Sequence, residues 1–225
     1  MLILAMDSSA KSASVAICNN EELLGQYFQN SGLTHSRTLM VMAEALLQNL
    51  YVNVSDVDLV AVSSGPGSFT GVRIGVAAVK GLAWGAQKPV CGISTLESMA
   101  YQMQDPGIIL CPVMDARRNQ VYNALFSWRD GTLTRLCNDR AISLEDLERE
   151  LKGTSSPICL IGDGAQLSYS VLSRCDIPCR LAPPLSRFQT AYGVALAAIR
   201  APQISAVDLE PSYLRPSQAE RERQS

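Results

Sequence analysis

Leu2-Ile3-Leu4-Ala5-Met6-Asp7 and Ile108-Ile109-Leu110-Cys111-Pro112-Val113-Met114-Asp115 decide how this chain is read. Each is an unbroken apolar run of strand length closed by an aspartate, the pattern of a strand buried on both faces. Each is followed by an antiparallel meander: Ser14–Cys18, the turn Asn19-Asn20 and Leu23–Phe28 after the first, Val121–Trp128 and Leu133–Cys137 after the second. Both halves then alternate helix and strand. The first half predicts a helix over Thr34–Leu50, a strand over Val57–Ser63, a helix over Thr70–Trp84, a strand over Val90–Ser94 and a short helix over Thr95–Met103. The second predicts a helix over Ser143–Leu151 capped by Ser143, a strand over Pro157–Ile161, a helix opened by Gly162-Asp163-Gly164, and an Ala-rich helix over Ser186–Arg200. The repeated order predicts an α/β protein of two duplicated lobes with mixed sheets. Asp105-Pro106-Gly107 is the strongest turn signal in the chain and sets the boundary. Residues 1–104 are expected to form one lobe and 105–215 the other, with the last predicted helix crossing back to the first lobe. The charged segment 216–225 is expected to be a flexible tail.

Composition narrows the function. Lys+Arg 19 against Asp+Glu 21 leaves a net charge of -2, which argues against a protein that grips an RNA backbone by itself. The seven cysteines sit mostly inside apolar runs, as buried thiols of a reducing compartment do. Cys175 and Cys179 lack the second pair or the histidine that would complete a zinc site. No apolar run approaches the ~20 residues of a membrane span. A cytoplasmic protein without a membrane partner is expected.

Three stretches carry candidate chemistry. Ser64-Gly65-Pro66-Gly67-Ser68-Phe69-Thr70-Gly71 joins a strand to a helix. It is neither a Walker loop nor a dinucleotide fingerprint, so an anion cradle and a tight turn capped by Ser68 or Thr70 both stand as readings. Asp7-Ser8-Ser9 places hydroxyls beside a carboxylate, suited to a nucleotide phosphate and its cation or to an ordinary polar hairpin. Its second copy begins at Asp115 and carries Arg117 and Arg118, which are expected to crowd a phosphate. Gly162 and Gly164 are the corresponding candidates for passing close to an adenine ring. Together Asp7, Ser8, Ser9, Asp115, Gly162 and Gly164 are the candidates for weak ATP or ADP binding; no other cofactor is expected. His35 is the only histidine, so neither a His-based triad nor a two-His metal site can be assembled.

The helix over Thr70–Trp84 bears two apolar stripes, Gly71-Gly75-Ala78-Leu82-Gly85 and Val72-Val76-Val79-Ala83. If the sheet takes one, a partner is expected to take the other, with Arg73 and Lys80 at the rim. Leu39, Ala43 and Leu46 of the preceding helix, which begins near His35, are expected to fill the grooves of that contact. It would be an isologous four-helix seam.

Ile3–Ser9, His35-Ser36-Arg37, Ser64–Gly75, Ile93–Ser98 and Pro211-Ser212-Tyr213-Leu214-Arg215 together resemble the bacterial TsaB (YeaZ) family over nearly the whole chain. The resemblance implies the two-lobed fold shared by actin, sugar kinases and the Hsp70 ATPase. It also implies a non-catalytic paralogue of TsaD, the enzyme that joins threonylcarbamoyl-adenylate to adenosine 37 of transfer RNAs reading codons that begin with A. Implied partners are TsaD, the ATPase TsaE and a second copy of the chain through the same two helices, with transfer RNA met only through the complex. TsaD holds its metal on a His-x-x-x-His motif, and the resemblance sets Thr95 and Met99 at those two positions, so the metal chemistry is expected to be lost. The alternative expectation is an actin-fold ATPase or small-molecule kinase acting alone.

Overall fold

The computed structural model describes residues 1–215; the expected tail, 216–225, lies outside the described residues. The first sheet contains β1 (Leu2–Asp7), β2 (Ala13–Asn19), β3 (Glu22–Gln29), β4 (Leu59–Gly65) and β5 (Val90–Ser94) in the order β3-β2-β1-β4-β5. β1, β2 and β3 run antiparallel in turn, while β1, β4 and β5 are parallel. The second sheet is built around β6 (Ile109–Asp115), β7 (Gln120–Asn123), β10 (Arg140–Ser143), β11 (Ile158–Ile161) and β12 (Cys179–Leu181) in the order β10-β7-β6-β11-β12. Antiparallel and parallel pairings fall in the same places in both sheets. The duplicated pattern in the sequence is therefore a duplicated topology. β8 (Phe126–Arg129) and β9 (Thr132–Arg135) form a side hairpin on β6. Val121–Trp128, expected as one strand, is thus two, broken at Ala124-Leu125.

β1 is buried on both faces, and its side chains alternate between them with the two-residue period of a strand. Leu4 and Met6 face one way, under α1 (His35–Asn49) and α2 (Phe69–Ala86), together with Val15, Ile17, Val60 and Val62. Ile3 and Ala5 face the other way, onto a layer made of α3 (Thr95–Tyr101) and α6 (Ala191–Ala198). The same layer packs against Leu110, Met114, Cys159 and Ile161 of the second sheet, so α3 and α6 are filling between two sheets. α4 (Leu144–Leu151) and α5 (Ala165–Leu172) cover the far face of the second sheet through Leu147, Leu151 and Leu172.

Cap positions follow local chemistry. The Ser68 hydroxyl accepts from the Gly71 N–H at 3.3 Å and the Ser143 hydroxyl from the Asp146 N–H at 3.0 Å. α6 begins five residues later than expected, because Pro184–Ser186 forms a separate 3-10 turn. No helix of the described residues is long and apolar enough to cross a membrane.

Candidate functional site

Two surfaces bring the candidate residues together: a cleft between the lobes and the outer face of α1 and α2. At the cleft, the expected nucleotide contacts turn largely inward. Asp7, at the end of β1, is buried. Its Oδ1 accepts from the Ser9 N–H at 2.9 Å and the Ser9 hydroxyl at 2.8 Å, and its Oδ2 accepts from the Ser63 hydroxyl. Ser8 donates to the Gly71 carbonyl at 2.9 Å, and the Ser68 N–H donates to the Ser9 carbonyl at 2.7 Å. A Cβ on Gly67 would lie 2.3 Å from the Ser9 carbonyl oxygen, and one on Gly71 2.1 Å from that of Ser8. The glycines of the loop allow it to lie flush on the β1–β2 hairpin. Of Asp7, Ser8 and Ser9, Ser9 alone borders the cleft.

Burial holds the Asp7 carboxyl above its ordinary value of 3.8 even though Ser63 and Ser9 donate to it. The folded state therefore keeps this proton more tightly than the unfolded chain does. Asp7 contributes stability below its unfolded value that is lost as pH rises through the folded value. Asp7→Asn removes that loss. Its stability at neutral pH is expected to match or exceed that of the native chain, with a flatter pH dependence above the ordinary carboxylate value. Asp7→Ala leaves buried donors unpaired and is expected to cost about 2–4 kcal/mol. Urea unfolding across pH separates the two; an Asp7→Asn variant as unstable as Asp7→Ala would contradict the assignment.

The cleft, about 710 Å³, is walled on the other side by Asp115, Arg117, Asp163 and Gln189. Asp115 accepts from the Arg117 N–H at 2.8 Å. Arg117 borders the cleft as expected, whereas Arg118 is exposed outside it. A Cβ on Gly162 (φ +111°) would meet the Val113 carbonyl oxygen at 2.2 Å, and one on Gly164 would meet the Asp115 nitrogen at 3.0 Å. Both glycines therefore serve the packing of this turn on β6. Asp163 between them was not singled out in the sequence. Burial raises its pKa, and Gln189, also unforeseen, donates to it at 3.4 Å.

On the outer face the expected residues need correcting. Leu39, Ala43 and Leu46 are buried in the core that α1 shares with the first sheet, so they are the sheet-facing stripe. Gly71 and Gly75 are buried too; a Cβ on Gly75 would lie 2.6 Å from the Ser8 hydroxyl and 3.2 Å from Val62. At 100° per residue Gly71 and Gly75 neighbour Val72, Val76 and Val79 on one inward face, while Gly85 at the far end of the glycine stripe is exposed. Arg73 and Lys80 are engaged within the chain. Arg73 Nε donates to the Tyr213 hydroxyl at 2.7 Å, and Lys80 donates to the carbonyls of Val207 and Leu209 at 2.9 and 3.0 Å. His35, a candidate for the partner contact and by residue type a cap or surface residue, is the first residue of α1; it is half-buried and turns inward, with Nε2 at 2.7 Å from the Ala10 carbonyl oxygen. Ala78 and Leu82 are half-buried along the α1–α2 seam.

The surface left outward is a ridge on α2 made of Ala77 and Gly81, both exposed, with no atom within 4 Å of a Cβ on Gly81. Trp84 (68% exposed) ends it. A groove of about 750 Å³ lies along α1 and the segment that follows it, lined by Met40, Val41, Leu47, Tyr51 and Val52, with Leu82 the one contribution of α2. Met40 and Val41 are 41% and 62% exposed. Exposed apolar side chains line this groove beside Glu44, Gln48 and Asn53, and an exposed apolar surface of this kind marks an interaction site.

The chain is 32% identical to the tRNA threonylcarbamoyladenosine biosynthesis protein TsaB of Bacillus subtilis, over 76% of this chain and 75% of that protein. The chain belongs to the TsaB family. Among solved structures, YeaZ from Pseudomonas aeruginosa superposes with a TM-score of 0.79 at 27% identity, covering 95% of this chain and 99% of that one. Residues 29–169 match the family model described as TsaD, tRNA N6-adenosine threonylcarbamoyltransferase. Component A of the Acidaminococcus fermentans (R)-2-hydroxyglutaryl-CoA dehydratase shares the fold alone, with a TM-score of 0.52 at 12% identity, covering 89% of this chain and 97% of that one. In this TsaB chain, Thr95 and Met99, set by the resemblance against the metal-binding histidines of TsaD, are both fully buried in the layer between the sheets.

Proposed function

We propose that this TsaB protein is the non-catalytic partner subunit of tRNA threonylcarbamoyladenosine synthesis, pairing with TsaD through α1 and α2. The observation that carries this reading is the outer face: an exposed ridge of small residues beside an apolar groove, on a helix pair already anchored to its own sheet. A ridge of Ala77 and Gly81 lets a second helix approach closely, and Met40 and Val41 supply apolar area around it. The same face serves a homodimer, in which each copy presents the patch to the other; homodimer and heterodimer then exclude one another. TsaE acts on the assembled pair, and transfer RNA is met through it. ATP or ADP enters the cleft weakly at most, because Asp7 and Ser8 are spent on the hairpin lock and Arg117 stands at the opposite wall.

The second reading, an ATPase or kinase acting alone, is favoured by one observation: Asp115 and Asp163 face a cleft of nucleotide size. Reconstitution decides between them. With TsaD, TsaE, transfer RNA, ATP and threonylcarbamoyl-adenylate, modified adenosine is expected to form only when this chain is present. The chain alone is expected to hydrolyse ATP no faster than a buffer blank. Turnover at enzyme rates by the chain alone would overturn the partner-subunit reading.

A further inference from the structure

The chain continues past α6 as an irregular segment bound first to one lobe and then to the other. Ile204 and Val90 exchange backbone hydrogen bonds at 2.9 Å, and Ala206 and Leu209 are buried in the core of the first lobe. Lys80 also holds this part, donating to the carbonyls of Val207 and Leu209. Beyond Pro211 the segment leaves the core. The Ser212 N–H donates to the Ser64 carbonyl at 2.7 Å. The Tyr213 ring stacks on Phe69 with centroids 4.7 Å apart, and the Arg73 guanidinium lies 3.8 Å over Phe69 while donating to the Tyr213 hydroxyl. Arg215 then crosses to the second lobe, where its Nη1 donates to the Ala116 carbonyl at 3.3 Å. All four residues from Ser212 to Arg215 line the cleft.

The landing point is itself unusual. Arg117, Arg118 and Asn119, immediately after Ala116, have φ of +66°, +54° and +55°. Such a run of non-glycine residues in the left-handed region persists only where its surroundings hold it. A donor supplied from the opposite lobe is one such restraint.

We propose that Ser212–Arg215 is a latch that spans the interlobe cleft and ties the lobes together, tethered on the first lobe by Phe69 and Arg73 and fastened on the second by the Ala116 carbonyl. Release of the latch frees the 116–120 turn and opens the cleft to a nucleotide-sized, phosphate-bearing ligand; that last step rests on the weak-nucleotide reading above. The tethers are separable. Arg215→Ala removes only the crossing bond, and Tyr213→Ala removes the aromatic anchor without touching either core.

Hydrogen exchange of the native chain and both variants tests the latch directly. The Gln120 and Ala116 amides, which close the turn on the Arg117 and Gln120 carbonyls, are the reporters. They are expected to exchange at least tenfold faster in both variants, with the Leu110, Cys111 and Val113 amides of β6 unchanged. Equal exchange at the turn in native chain and variants would overturn the latch. Calorimetric titration of the same three proteins with ATP and Mg²⁺ tests the ligand separately, with at least tenfold tighter binding expected in the variants. Faster exchange with no ATP binding in any form would leave the latch standing and overturn the nucleotide reading.

Discussion

Gly75→Leu is expected to destabilise the isolated chain by about 3–5 kcal/mol, the range of a forced overpacking that also breaks a buried hydrogen bond. A Cβ at this position lies 2.6 Å from the Ser8 hydroxyl, the group that donates to the Gly71 carbonyl, and 3.2 Å from Val62 on β4. Neither neighbour has room to retreat: Ser8 is held by the hairpin and Val62 stands in the middle of the first sheet. Gly81→Leu, six residues further along the same helix and on its opposite face, is expected to do the opposite. Gly81 is exposed and its Cβ would meet nothing within 4 Å. Removing a glycine from an exposed helix interior gains up to about 1 kcal/mol. Urea unfolding of the two variants, at concentrations low enough to keep the chain monomeric, reads the contrast. Equal destabilisation by both would mean that α2 is rotated from the orientation described.

The second large effect concerns association. Gly81→Leu places a branched side chain on the ridge where a partner helix must come closest, and Val41→Asp places a carboxylate on the wall of the apolar groove. Neither position contributes to the monomer core, Val41 being 62% exposed. Each substitution is expected to weaken pairing at least 100-fold, about 2.7 kcal/mol. Light scattering over a concentration series would show the native chain shifting towards a dimer and both variants remaining monomers. The far-ultraviolet spectrum, unchanged in both, distinguishes lost pairing from lost fold.

The duplicated architecture was legible because its signal is local. A run such as Leu2–Asp7 is apolar at every position, and its aspartate, meander and following helix recur in order after Asp115. The caps Ser68 and Ser143 follow from residue chemistry within one turn. What the local pattern could not decide was which way α2 faces. Its glycine and valine stripes are both apolar, and the choice is made by Ser8, 63 residues away, whose backbone approaches too closely for any Cβ at Gly71. The true outer ridge, Ala77 and Gly81, is made of residues too small to register as an apolar stripe. Arg73 and Lys80 were misplaced for a related reason. Their partners lie in the irregular 204–215 segment, which has no periodicity to announce that it folds back. Asp163 and Gln189 meet in the cleft only through tertiary packing, and nothing in their spacing marks them as a pair.

On the proposed reading, TsaD docks on the outer face of α1 and α2. Native mass spectrometry of TsaD from the same cell, mixed with the native chain, Gly81→Leu or Val41→Asp, tests it most directly. A one-to-one complex with the native chain, and separate folded subunits with each variant, is the predicted result. A complex of native mass formed by both variants would contradict it, and would place the contact with TsaD on another face of the molecule.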